Sequence, residues 1–391
     1  IIYVSRVGIS AVATVGLTES LVTLVYAVAI GLSIGATAMV ARRVGEKDDE
    51  GAQRVAVQAI ILGVLVAIIV GVFGFFYAKE LLGLMGAEAD VIESGFRYTQ
   101  ILLASNVSIL LLFLINAIFR GAGEASIAMW LLVFSNGLNI ILDPILIFGW
   151  GPIPEFGVTG AAMATVTGRS LAVLAQLSIL FFGWSRIKIS IKLFVLNLGV
   201  MFRLVKVSLG GIGQFIIGTS SWVVLMRIMS EFGTDVIAGY TIAIRVMLFT
   251  LMPAWGMSNA AATLVGQNLG AKQPLRASKS VWITAKYNAY FMLTVSIVYL
   301  LWAPLIVSWF NADSDVVYYG GLSLRVMAAG YVFYAYGMVL TQAFNGAGDT
   351  STPTVINFIC FWLFQLPIAY FTAIVLGWGP KGVLIAITSA E

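Results

Sequence analysis

The sequence predicts an all-α polytopic membrane protein built as two six-helix bundles. Two observations lead to this prediction: the composition is strongly apolar, and the second half of the chain repeats the first at a fixed offset. Of the 391 residues, 60% are hydrophobic and 10% are charged, and the mean hydropathy is +0.99. Soluble domains carry about 25% charged residues, so a water-soluble enzyme of several globular domains is excluded.

The apolar segments have the length of membrane-spanning helices, which need about 20 mostly apolar residues. Most lack two-residue alternation and are longer than barrel strands, so helices are favoured. Within the predicted span at 17–41, Gly31 and Gly35 form a small-residue pair suited to close helix packing. We predict spans at 17–41, 54–77, 96–119, 126–148, 158–182, 204–229, 237–265, 282–309, 320–344 and 353–376, with partial spans at 1–4 and 383–391.

Basic residues mark one side of the membrane. Fourteen of the 22 Lys and Arg residues lie at or near alternate loops, whereas the opposite loops hold chiefly Arg6, Lys79 and Lys381. By the positive-inside rule the basic loops are cytoplasmic, which predicts a multi-pass protein of the cell (inner or plasma) membrane. The net charge of +4 is too small to indicate a nucleic-acid partner.

The residue types also limit the chemistry. Histidine is absent and Cys360 is the single cysteine, which excludes disulfide frameworks, Cys/His zinc sites and histidine-based catalysis. No nucleophile–base pair is visible, so we predict that the protein is not an enzyme and needs no cofactor.

An internal repeat fixes the predicted architecture. Residues 41–52 align with 266–277, and residues 119–124 align with 344–349, both at an offset of 225 residues. Six spans separate equivalent points, and an even number means that both copies cross the bilayer in the same sense. The repeat is therefore parallel, with two bundles related by an axis along the membrane normal.

The repeat also predicts the organisation of the chain. We expect an N-terminal lobe at 1–182, a basic cytoplasmic linker at 183–203 and a C-terminal lobe at 204–391. The complete architecture would have twelve helices, so we expect the chain to be truncated at both ends, in the first helix and in the last. Two such lobes facing each other across a cavity are the architecture of a transporter that works by alternating access.

Several motifs resemble the multidrug and toxic compound extrusion (MATE) transporters. They are the loops VGEK at 44–47 and LGAK at 269–272, the twin F-x-G-A-G-[ED] blocks at 119–124 and 344–349, and the segments NIILDP at 139–144 and GVTGAAMAT at 157–165. The resemblance covers essentially the whole chain. It implies a secondary active antiporter that exports amphipathic, often cationic drugs and toxic compounds, driven by H⁺ or Na⁺. We expect it to act in the lipid bilayer as a monomer.

Acidic residues inside the spans are candidates for ion coupling, because an ionised carboxylate there is costly. Two fall within spans, Asp143 and Glu19, and Asn139 lies one helical turn before Asp143 on the same face. The family pattern implies a coupling network of Asp143, Asn139 and Thr165, with Asn116 and Tyr98 attached. If the coupling ion is Na⁺, Asp143 and Asn139 are its expected ligands. It also implies a first-helix aspartate at or just before residue 1.

Structural roles compete with these assignments. Asp143 could hold an outer loop by hydrogen bonds, Glu19 could be an interfacial acid, and Asn116 could join two helices. Arg169 and Arg245 also fall within spans and need partners.

The substrate path is predicted only by residue type. Aromatic and methionine side chains offer a polarisable wall for organic cations, although ordinary packing uses the same residues. The candidates are Trp222, Trp255, Met252, Tyr331, Tyr334 and Gln214. The alternative function is a lipid-linked sugar flippase of the same superfamily, holding a pyrophosphate with Arg169 and Arg245. A receptor or channel fits the duplicated six-helix unit less well.

Overall fold

The computed structural model describes residues 3–390, which are helical apart from loops and one isolated bridge between Trp150 and Ile153. The helices are Ile9–Gly45 (α1), Asp49–Phe76 (α2), Ala78–Leu84 (α3), Ala89–Ala104 (α4), Asn106–Ala122 (α5), Ala125–Phe148 (α6), Gly157–Phe182 (α7), Leu198–Ser230 (α8), Thr234–Gly270 (α9), Pro274–Ser308 (α10), Ser314–Ala329 (α11), Tyr331–Ala347 (α12), Ser351–Asn357 (α13), Leu366–Tyr370 (α14) and Pro380–Ala390 (α15). Short 3₁₀ turns lie at Val4–Arg6 and Ile191–Leu193, and π-helical segments at Phe358–Gln365 and Phe371–Val375 flank α14.

The helices reproduce the predicted spans. Within residues 3–390, nine helical segments are long and apolar enough to cross a membrane, and α11 with α12, bent by 58°, makes a tenth. The predicted all-α multi-pass membrane protein is confirmed. The partial spans predicted at 1–4 and 383–391 extend onto residues 1, 2 and 391, which lie outside the described residues.

The chain divides into two compact units, with the boundary between Ile212 and Gly213 inside α8. Each unit packs its own apolar core, dominated by Ala, Val, Leu and Ile in the first, with tyrosines and methionines added in the second. The predicted linker 183–203 lies in the first unit. The lobe limits that we drew from the repeat stay a prediction.

Two polar contacts attach this linker to the first unit. The buried Gln58 on α2 donates its amide to the Val195 carbonyl at 2.9 Å and accepts the Asn197 N–H at 3.0 Å. Glu124, at the start of α6, accepts the Arg186 N–H at 3.0 Å and the Ser185 hydroxyl. The segment is therefore fixed at both ends by hydrogen bonds that also satisfy its backbone.

The repeated loop motifs have matching backbone conformations. Gly123 and Gly348 end α5 and α12 in the left-handed region, at φ of 91° and 86°, where a side chain would be strained. Lys47 and Lys272 are also left-handed, at φ of 60° and 58°, which is uncommon for residues other than glycine. Each pair is separated by the 225-residue offset.

The acids that close the two glycine motifs have different partners. Whereas Glu124 binds the linker, Asp349 accepts the Thr352 hydroxyl at 2.6 Å, the Thr352 N–H at 3.1 Å and the Ser351 hydroxyl at 2.8 Å. These bonds, chiefly from the Thr352 side chain, hold the pKa of the Asp349 carboxyl below its usual range. Asp349 thus closes the turn into α13.

The predicted glycine pair on α1 packs against the first part of α8. A Cβ at Gly31 would lie 2.7 Å from the Ile212 backbone nitrogen and 2.8 Å from the Ser208 carbonyl oxygen. One turn later, a Cβ at Gly35 would lie 3.2 Å from the Leu204 carbonyl oxygen. The two backbones touch, so a side chain cannot relieve the overlap by changing rotamer.

Replacing Gly31 by alanine should therefore force α1 and α8 apart and lower the free energy of unfolding by about 1–3 kcal/mol. The measurement is the thermal unfolding midpoint of the purified protein in detergent. Gly16→Ala, on the same helix, is the matched control, because a Cβ at Gly16 would have no neighbouring atom within 4 Å. Equal midpoints for the two variants would contradict the close contact.

Candidate functional site

The site forms where α6 and α7 approach backbone to backbone. A Cβ at Gly168 on α7 would lie 2.9 Å from the Ser135 carbonyl oxygen on α6, and one at Gly160 would lie 2.9 Å from the Ile147 nitrogen. These two contacts are two turns of α7 apart. The polar residues between them are therefore held at a short separation.

Three predicted coupling residues meet in this gap. The Asn139 Nδ2 donates to Asp143 Oδ1 at 3.3 Å, one turn along α6, and to Thr165 Oγ1 on α7 at 3.1 Å. All three side chains are partly buried. We call Asn139, Asp143 and Thr165 the carboxylate cluster. One amide thus ties an acid to the neighbouring helix.

Tyr98 on α4 borders this cluster. Its side chain is 8% exposed, and its hydroxyl lies within electrostatic range of Glu19, Arg169, Asp143 and Tyr26. No hydrogen bond joins Tyr98 to the cluster among the described residues. Glu19 is exposed on α1. The site therefore contains one partly buried and one exposed carboxylate, together with one guanidinium.

Arg169 obtains the partner that the sequence did not identify. It lies one turn after Thr165 on α7, and its Nη2 donates to the Tyr26 hydroxyl on α1 at 2.8 Å. The guanidinium carbon is 5.9 Å from the Tyr26 ring centroid, and that ring contacts Phe113 of α5 at 5.7 Å. Residues 26 and 169 are 143 positions apart, so no local spacing could have predicted their contact.

Asn116 is placed elsewhere in the first unit. It is buried on α5, and its Oδ1 accepts the Gln176 Nε2 of α7 at 2.9 Å. Gln176 lies eleven residues beyond Thr165, about 16 Å along the helix axis. The structure therefore does not bring Asn116 to the carboxylate cluster, and its contact joins two helices. The sequence reasoning missed Gln176 because a single amide in an apolar helix carries no spacing signal.

The six residues predicted to line a substrate cavity differ in their environments within the second unit. Tyr331 is 1% exposed and packs edge-on against Tyr299 at 5.9 Å. Gln214 donates to Asn345 Oδ1 at 3.0 Å and to the Thr350 carbonyl at 3.1 Å. The other four are exposed or partly buried: Trp222, Trp255, Met252 and Tyr334.

A cavity of about 580 Å³ lies between α9 and α10. Its lining includes Arg245, Phe249, Tyr299, Trp302 and Trp309, and contains none of the six predicted residues. The sequence analysis did not identify the lining residues on α10, because the presence of aromatic residues on a membrane helix does not show the direction in which their side chains point.

The comparison with protein families decides the identity. The model of the MatE family matches residues 1–145 and 212–371. The chain belongs to this family of MATE transporters. The resemblance stated from the loop motifs is thereby confirmed, and so is the prediction that the protein is a transporter and not an enzyme.

Individual relatives agree with this assignment. The chain is 26% identical to the probable multidrug resistance protein NorM of Thermotoga maritima over 363 residues, 92% of the chain and 77% of the relative. It is 24% identical over 340 residues to the multidrug export protein MepA of Staphylococcus aureus, covering 86% of the chain and 74% of the relative.

A solved structure shows the same fold. The chain superimposes along its whole length on 86% of a multidrug resistance MATE family transporter in an outward-facing conformation, with a TM-score of 0.92 and 27% sequence identity. This MATE transporter is therefore a multi-pass membrane protein.

The Asn116–Gln176 contact predicts a stability effect. Gln176→Leu leaves the buried Asn116 oxygen without its donor and should lower the free energy of unfolding by about 1 kcal/mol. Adding Asn116→Leu removes both polar partners and should restore most of that loss. A double-mutant cycle of thermal unfolding midpoints in detergent measures the coupling, and strictly additive losses would contradict the contact.

Proposed function

We propose that this MATE transporter exports amphipathic, often cationic compounds in exchange for a cation, H⁺ or Na⁺, that binds at Asp143. The observation that supports this proposal is the carboxylate cluster, in which Asp143 lies on a spanning helix and shares one amide with Thr165 on the next. Tyr98 at the border of the cluster belongs to the same site. Asn116 keeps its helix-joining contact and is left out of the coupling network.

The cost of an isolated charge explains how binding would drive a conformational change. A charged side chain in a membrane helix costs up to about 2.5–3.5 kcal/mol on insertion scales, with the highest cost at the helix centre. Asp143 lies between the centre of α6 and its end at Phe148. Asp143 receives one hydrogen bond, from Asn139 at 3.3 Å, and forms no ion pair among residues 3–390. Binding a cation removes this cost, so the arrangement of α6 and α7 that is favoured differs between the bound and free states.

Coupling requires that the cation and the substrate prefer different conformations. In the proposed cycle, the cation-bound form releases substrate outside, and cation release inside restores the form that takes up substrate. The outward-facing conformation described for the matched structure supports alternating access. We further propose that the protein works as a monomer without a cofactor.

The relatives favour drug export over lipid-linked sugar flipping. NorM and MepA are named as multidrug resistance and multidrug export proteins. The flippase hypothesis, in contrast, required that Arg169 and Arg245 be free to bind a pyrophosphate. Arg169 is instead hydrogen-bonded to Tyr26. We therefore keep export as the proposed function.

The test is Asp143→Asn, which keeps the side-chain volume but cannot ionise. We expect the variant to fold and insert normally and to lose gradient-driven efflux at least about tenfold, since the coupling cation has lost its site. Uptake of ethidium into everted vesicles, which is export in the cellular sense, measures this loss under imposed proton or sodium gradients.

Glu80→Gln is the matched control, because Glu80 is an exposed acid on α3 of the same unit. It should transport as the unmodified protein does. Undiminished gradient-driven efflux in Asp143→Asn would overturn the proposal.

A further inference from the structure

The cavity between α9 and α10 is formed by these two helices and the residues that directly follow α10. Its lining residues fall within 245–250 and 298–310, in the half of each helix that is remote from the turn at Lys272. Helices α11 and α12 pack against both α9 and α10, yet neither contributes a lining residue. The cavity therefore opens on the opposite side of the α9–α10 pair. Its volume of about 580 Å³ is within the range of about 300–1,000 Å³ that is typical of small-molecule sites.

The free polar groups of this cavity are all hydrogen-bond donors. The Arg245 guanidinium makes no hydrogen bond or ion pair within residues 3–390, and the Nε1–H groups of Trp302 and Trp309 have no partner there. These three side chains are exposed, and no Asp or Glu lines the cavity. Arginine stays protonated at any pH relevant to a cell. The cavity thus offers one permanent cation and two indole donors to a ligand.

The two hydroxyl groups that line the cavity are already engaged within the protein. The Thr250 and Tyr299 oxygens lie 2.8 Å apart. Thr250 can also donate to the Met247 carbonyl at 2.9 Å, and Tyr299 can donate to the Val246 carbonyl at 3.1 Å. Their protons therefore have acceptors without a ligand, which leaves Arg245 as the strongest free polar group in the cavity.

The repeated sequence pattern does not require a cation at position 245. The residue 225 positions earlier is Ser20 on α1, whose hydroxyl donates to the Gly16 carbonyl at 3.2 Å. Ionisable residues within membrane spans are costly, and they usually pair with an acid or face a ligand pathway. Because Arg245 has no acid to pair with in residues 3–390, its charge favours a ligand of the opposite sign.

We propose that this cavity binds a small amphiphile that carries one anionic group, a carboxylate or a sulfonate, on an aromatic body. The anion pairs with Arg245 and accepts from the indole N–H groups, while the aromatic body packs among Phe249, Trp302 and Trp309. An organic cation would instead meet an unpaired guanidinium with no acid beside it. No residue of the first unit lines the cavity, so the inference does not depend on the coupling role proposed for Asp143.

The depth of Arg245 favours a small molecule over a phospholipid. Arg245 lies eight residues inside the predicted span 237–265, about 12 Å along the helix axis. The phosphate groups of lipids stay outside the hydrocarbon core. A small anion that enters the cavity can reach the guanidinium without drawing a headgroup into that core.

The test compares two probes that share an aromatic body and differ in charge. Dimethylaminonaphthalene sulfonate (dansylate) is anionic, and its sulfonamide (dansylamide) is neutral. Each is titrated into the purified full chain in a non-ionic detergent, and binding is followed by energy transfer from tryptophan, with the signal of protein-free micelles subtracted. We expect saturable dansylate binding that Arg245→Met weakens about 10- to 100-fold, because a charged hydrogen bond is lost. Dansylamide should bind the two proteins equally.

Three further variants separate the charge from other effects. Arg245→Lys keeps the positive charge and should retain most of the dansylate affinity. Val298→Phe narrows the cavity and should weaken the binding of both probes. Arg325→Met is the matched control, since Arg325 is an exposed arginine of α11 that donates to the Leu300 carbonyl at 3.1 Å and does not line the cavity. It should bind dansylate as the unmodified protein does.

Thermal unfolding midpoints show which variants are folded, and Arg245→Gln gives the same test if the methionine variant is not. Equal dansylate affinity with and without the charge, or equal loss of both probes in Arg245→Met, would overturn the inference. Displacement of dansylate by equimolar phosphatidylglycerol would assign the cavity to a lipid headgroup and would also overturn it. Failure of the proposed function has a different signature, namely undiminished efflux in Asp143→Asn, and it leaves these binding results unchanged.

Discussion

The close approach of α6 and α7 is the constraint on which the candidate site depends. Gly160 and Gly168 let the two backbones touch at points two turns apart, and between them an asparagine on one helix can reach a threonine on the other. Larger residues at the glycines would separate the helices by more than a hydrogen bond can span. The polar geometry therefore follows from backbone packing in a medium where polar groups have few other partners.

Helix positions were predictable because each depends on local composition. A run of about 20 apolar residues is readable without knowledge of the fold, and the contact of Asn139 with Asp143 follows from their four-residue spacing on one helix. The partners of Arg169 and Asn116 were not predictable, since Tyr26 and Gln176 come from helices distant in sequence. The substrate-cavity candidates were chosen by residue type, which does not show the direction in which a side chain points.

The duplicated motifs show how one local geometry can serve two purposes. The glycine and lysine turns keep the same left-handed backbone in both copies, because the chain must reverse there in each. The acids that follow the glycine turns, Glu124 and Asp349, are not restricted to one kind of hydrogen-bond partner. Glu124 binds the segment that follows α7, and Asp349 closes the turn into the next helix. Conformation is shared where the backbone requires it, and side-chain partners differ where it does not.

The contact of Gly31 with Ile212 has a consequence for biogenesis. The first unit includes the beginning of α8, so its packing is incomplete until the ribosome has synthesised residues beyond the linker. Until then, the surface of α1 around Gly31 contacts lipid or the insertion machinery in place of α8. The first unit therefore cannot complete its packing before the start of α8 has been synthesised.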